Sequence, residues 1–106
     1  MEQGQKAGWP SADALMAELR TAYPDLWVRP AQEFGDPTLT YGVWTGGEAR
    51  MPNGDQIFSG LANDPDKYDG RVHVDFLKWL EQRGWYVEDY DGATFFIVTI
   101  ASAQEL

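Results

Sequence analysis

His73 is the chain's single histidine, accompanied by three serines, Ser11, Ser59 and Ser102, and by no cysteine. A serine triad would need His73 to serve as general base beside one of those hydroxyls. Ser11 reads as a helix cap, Ser59 as a strand end and Ser102 as part of a tail, with Ser59 the nearest to a candidate. His73 itself reads as a helix cap or an exposed residue. The acids Asp64, Asp66, Asp69 and Asp75 could offer hard oxygens to calcium, but the spacing is wrong. A calcium loop starting at Asp64 would put Asp69 where an invariant glycine belongs and Asp75 where a bidentate glutamate is preferred. The stretch instead reads as a solvated loop, with Asp69 or another acid helping to cap the helix that follows. Carboxylate pairs for glycoside hydrolysis are assembled in space, and 17 acids make chance pairs plentiful. Gly46-Gly47 has neither the lysine of a phosphate loop nor the spacing of a dinucleotide fingerprint. No catalytic residue, metal or cofactor is therefore expected, and the absence of thiols excludes cysteine chemistry and disulfides.

What remains is binding. The five tryptophans are many for 106 residues, and tryptophan is enriched both in cores and at interface hot spots. Trp79 and Trp85 lie in regular apolar patterns and read as core, whereas Trp27 and Trp44 lie in less regular segments and are interface candidates. The formal charge is −9, from 17 acids and 8 bases, and both halves of the chain share it. Such a surface repels nucleic acid and anionic membrane and favours a neutral or basic partner. No run approaches the length of a membrane span, and the start MEQGQKAGWP lacks the pattern of a signal peptide, so a cytoplasmic protein is expected.

The elements that position these residues read as α+β: two helices packed on a small, mainly antiparallel sheet that ends in a β-hairpin. Residues 1–8 read as a flexible terminus and 9–106 as one domain. Ser11 caps a first helix to about Ala22, with Leu15, Met16 and Leu19 on one face, and Pro24 ends it. Leu26–Arg29 reads as an edge or extended stretch between prolines, and Thr38–Thr45 as a strand. A hairpin is expected around Pro52-Asn53-Gly54-Asp55, and an irregular loop over Gly60–Gly70. A second helix is expected from about Val72 to Arg83, stopped by Gly84. Trp85–Tyr90 and Ala93–Ile100 read as a hairpin on a two-residue Asp91-Gly92 turn. That register pairs Tyr90 with Ala93, giving a core face of Trp85, Val87, Phe96, Val98 and Ile100. The other face carries Tyr86, Glu88, Tyr90, Phe95 and Ile97, apolar enough to be either covered or used as a contact surface.

The segments VWTGGEARMPNGDQIFSGL and YDGRVHVDFLKWLEQRGWYVEDYDGATFFIVTI, within residues 43 to 100, resemble small accessory proteins encoded by bacteriophages and prophages. The recurring pieces are turns and a helix stop: Gly46-Gly47-Glu48-Ala49, Pro52-Asn53-Gly54 and Arg83-Gly84-Trp85-Tyr86. The resemblance implies a setting in which compact proteins inhibit host defence, anti-CRISPR proteins among them, by binding. The expectation is a non-enzymatic inhibitor that offers its acids to a basic host protein or protein–nucleic-acid complex, with Trp27, Trp44, Asp64, Asp66, Asp69, Tyr86, Glu88, Tyr90 and Phe95 as contact residues. A virion or assembly accessory that oligomerises through the hairpin edge is the alternative, and a small hydrolase is the third.

Overall fold

The computed structural model describes residues 9–38, 41–59 and 64–100. The expected N-terminal arm, part of the Thr38–Thr45 segment, the start of the Gly60–Gly70 loop and Ser102 lie outside them. Helix α1 spans Ala12–Ala22, and the Ser11 hydroxyl accepts the Ala14 amide at 3.2 Å. This satisfies an amide that the first turn leaves without an intrahelical acceptor. Leu15, Met16 and Leu19 are buried, so the apolar stripe of the sequence is the packed face.

The main sheet is antiparallel and runs β1 (Val28–Pro30), β2 (Val43–Gly46), β6 (Thr94–Thr99), β5 (Trp85–Asp89). A second, two-stranded sheet pairs β3 (Tyr68–Asp69) with β4 (Val72–His73). Helix α2 covers Val74–Glu81 and packs against β4 and β5. It is shorter than the Val72–Arg83 expected, because Val72 and His73 are drawn into strand pairing around Gly70, which takes φ +62°. The His73 amide also donates to the Ile57 carbonyl at 2.9 Å, which fixes the strand before the helix begins. Between Arg50 and Gln56 the expected central hairpin is reduced to a single bridge over its Pro-Asn-Gly-Asp turn.

The C-terminal hairpin is present, but its register differs from the expected one by one residue. Trp85 faces Thr99, Val87 faces Ile97 and Asp89 faces Phe95. A two-residue type I′ turn would require positive φ at Asp91 as well as Gly92, and no residue other than glycine has positive φ among those described. Asp91 instead turns its carboxylate to the Ala93 and Thr94 amides at 3.0 and 2.7 Å, and Asp89 accepts from the Gly92 amide at 2.6 Å. The loop therefore takes in Ala93, and the Tyr90 amide closes it on the Thr94 carbonyl at 2.9 Å.

A slip of one residue exchanges the faces of a strand. Phe95 and Ile97 join Trp85, Val43, Phe58, Phe76 and Leu80 in the main core between sheet and helices, while Phe96 and Val98 turn to the opposite face. Phe95 stacks on Phe58 with ring centroids 4.1 Å apart. Full burial of each such side chain contributes about 1.5–3 kcal/mol.

Candidate functional site

The opposite face of the sheet gathers aromatic rings. Trp44 on β2 and Phe96 on β6 are cross-strand partners, so their side chains rise side by side. After Pro30 the chain makes a 3-10 turn, Ala31–Phe34, whose Ala31 amide bonds the Gly42 carbonyl at 3.0 Å and lays the turn over this face. Phe34 then sits edge-on to Trp44, Tyr90 and Phe96, with centroids 5.2, 5.1 and 5.1 Å away. Trp27 meets Trp44 edge-on at 5.4 Å and Tyr90 meets Phe96 at 5.6 Å. Edge-to-face packing of this kind is favourable in its own right and holds the rings in place.

The base of this cluster is dry and its rim is wet. Phe96 is buried and Phe34 and Trp44 are partly covered, but Trp27 and Tyr90 remain 44% and 50% exposed. Acids stand beside the rings. Glu88 lies opposite Phe96 on the same face, and Glu33 precedes Phe34 in the 3-10 turn. The base Arg29, opposite Trp44, pairs with Glu33 at 3.7 Å with both side chains exposed, which leaves Glu88 as the acid of this face without a basic partner among the described residues. Tyr86 donates its hydroxyl to Glu88 at 2.9 Å, and burial first, then that carboxylate, raises the Tyr86 pKa.

Of the residues singled out from sequence, Trp27, Trp44, Tyr86, Glu88 and Tyr90 therefore belong to one face. Phe95 does not: the register puts it in the main core at 1% exposure, and it has no surface to offer. Asp64 and Asp66 lie in the turn before β3, where the Asp64 carboxylate accepts the Asp66 amide at 3.1 Å, and Asp69 is exposed on β3. Phe34, the centre of the cluster, was not singled out. The only trace of its role is an isolated aromatic in the polar run Gln32–Asp36. Phe96, assigned to the core, is the floor of this face.

His73 is a helix cap, as one of its two readings held, but it is buried at 2% exposure. Its Nδ1 accepts the Asp75 amide at 3.1 Å, which places the ring proton on Nε2, and Nε2 donates to Asp55 at 3.0 Å. No acid of the preceding loop is needed as the cap. Both ring nitrogens are bonded to groups other than Ser59. The His73 bond, aided by Lys67 at 3.5 Å, holds the Asp55 carboxyl below its ordinary pKa. Among the described residues, no group of three or more His, Asp or Glu is placed to hold a metal ion, and no helix is long and apolar enough to cross a membrane.

Comparison with protein-family models, with curated proteins and with solved structures finds no match.

Proposed function

We propose that this protein is a non-enzymatic binding module of phage or mobile-element origin, which inhibits a host defence complex by docking its aromatic face on a basic surface of that complex. The observation that carries the reading is the ring cluster of Trp27, Trp44, Phe34, Tyr90 and Phe96, exposed at Trp27 and Tyr90, with Glu88 opposite Phe96 and Glu33 in the turn that carries Phe34. Trp and Tyr dominate hot spots because they bury a large area at low entropic cost, and these rings are already fixed against one another. The acid rim supplies long-range attraction to a basic partner and rejects acidic ones. A face that presents carboxylates to a nucleic-acid channel would act as a mimic of the nucleic acid.

The test is capture of partners from a bacterial host by the tagged protein, run beside a Trp27→Ala/Tyr90→Ala double variant and across a salt series. A specific partner should be captured at about 0.1 M salt, weaken as screening shortens, and be lost from the double variant, since hot-spot truncation costs about 2 kcal/mol or more per residue. Capture that is indifferent to both salt and the double substitution would sink the reading.

A further inference from the structure

The sheet has two edges, and the chain treats them differently. At β1 the ladder runs through Arg29 opposite Trp44 and continues with the Ala31 amide on the Gly42 carbonyl, so Val28 and Pro30 turn their backbone outward. Pro30 has no N–H to offer there, which is how natural edges are closed. At β5 the bonds from Tyr90 to Thr94 and from Ile100 to Gly84, 2.9 and 3.0 Å, set the alternation and place Tyr86 and Glu88 in the bonded positions toward β6. The amides and carbonyls of Val87 and Asp89 therefore point away from the sheet. Among the described residues, no backbone or side-chain acceptor takes the Val87 and Asp89 amides.

A groove of about 360 Å³ runs beside this open edge. Val72 of β4, Leu77 of α2 and Val87 give it an apolar floor, and Asp69, Glu81 and Asp89 give it an acidic rim. The one base there, Arg71, reaches across to Asp89 at 3.6 Å, with both side chains close to half exposed.

We propose that the β5 edge and its groove bind an extended basic peptide segment as a fifth strand. This rests on the reading above that the partner is basic, and adds a site at the sheet edge that adjoins the aromatic face at Tyr86 and Glu88. Main-chain bonds to Val87 and Asp89 hold the segment, and its side chains alternate between two environments. Apolar ones enter the groove over Val72 and Leu77, and Lys or Arg on the other side lie beside Glu88. A second copy of this chain is the poorer occupant, because each copy carries −9 and would bring its own Glu88 and Asp89 to the edge.

The test uses the intact protein and a fluorescent Lys-Val-Lys-Val-Lys-Val-Lys peptide, read by polarisation and by hydrogen exchange. Binding should slow exchange at the Val87 and Asp89 amides. It should weaken about tenfold or more with a peptide N-methylated on alternate residues, and likewise with Val87→Pro, which removes an outward N–H and spares the ladder. Arg71→Ala should tighten it by freeing Asp89. Equal binding of the N-methylated peptide, or unchanged exchange at Val87 and Asp89, overturns the proposal. That comparison on the unaltered protein decides the matter even if Val87→Pro fails to fold. The Trp27→Ala/Tyr90→Ala variant should bind the peptide like the parent protein. Losing the peptide there would move the site to the aromatic face and end this proposal, while losing only the captured host partner separates the two surfaces. Dimerisation of the unaltered protein that Val87→Pro abolishes would give the edge to a second copy and also overturn it.

Discussion

At the scale of single residues, His73 does two jobs with two nitrogens, capping α2 through Nδ1 and holding Asp55 through Nε2. Replacing it with alanine removes the cap, leaves a buried space and frees Asp55. Its midpoint in urea should fall by the equivalent of about 2–3 kcal/mol. Asp55 has a folded pKa below its ordinary 3.8, so the folded state holds its proton less tightly than the unfolded chain. Its contribution to stability is fully present above pH 3.8 and disappears as pH falls through the lower folded value. Asp36 and Asp91, whose carboxylates accept bonds from Thr38 and from the Ala93 and Thr94 amides, act in the same direction. Melting temperature followed by circular dichroism should therefore hold steady near neutrality and drop below pH 3.8, with a shallower drop in Asp55→Asn. An identical drop in that variant would mean that the His73–Asp55 bond is not formed in solution.

At the scale of elements, two glycines separate backbone conformation from space. Gly54 takes φ +95° with open space where a side chain would stand, whereas Gly42 takes φ +123° and a side-chain carbon there would collide with the Ile97 carbonyl oxygen. Gly54→Ala should cost about 1 kcal/mol for conformation alone, and Gly42→Ala about 3 kcal/mol or more once the collision with β6 is added. Equal losses in denaturant titrations would argue that β2 and β6 are not so closely apposed. Helix α1 was legible because its determinants are local: Ser11, a three-and-four apolar spacing and Pro24. The C-terminal hairpin was legible as a hairpin, but its register was not. Phe95-Phe96-Ile97-Val98 is apolar on both sides, so alternation could not say which face is core, and the answer rested on how Asp89 and Asp91 bond the loop amides. Likewise Val72 and His73 fit a helical pattern, yet pairing with Tyr68 and Asp69 overrides it. The aromatic face was half legible: Trp27, Trp44, Tyr86 and Tyr90 stood out by type, whereas Phe34 acquires its place only through tertiary packing.

At the scale of the whole molecule, the charge of −9 acts on stability and on binding with opposite signs. Added salt screens self-repulsion, and the ion pairs it would weaken are few among the described residues and mostly exposed. Melting temperature should rise between about 0.02 and 0.5 M salt while affinity for a basic partner falls. A falling melting temperature would show that the surface pairs outweigh the repulsion. The unequal edges of the sheet also bear on stoichiometry. Pro30 offers no N–H at the β1 edge while Val87 and Asp89 turn theirs outward at β5, so β5 is the favoured edge for strand addition. A guest strand on β5 would then give one guest per molecule, because a copy approaching the other edge meets Pro30, which has no N–H to donate.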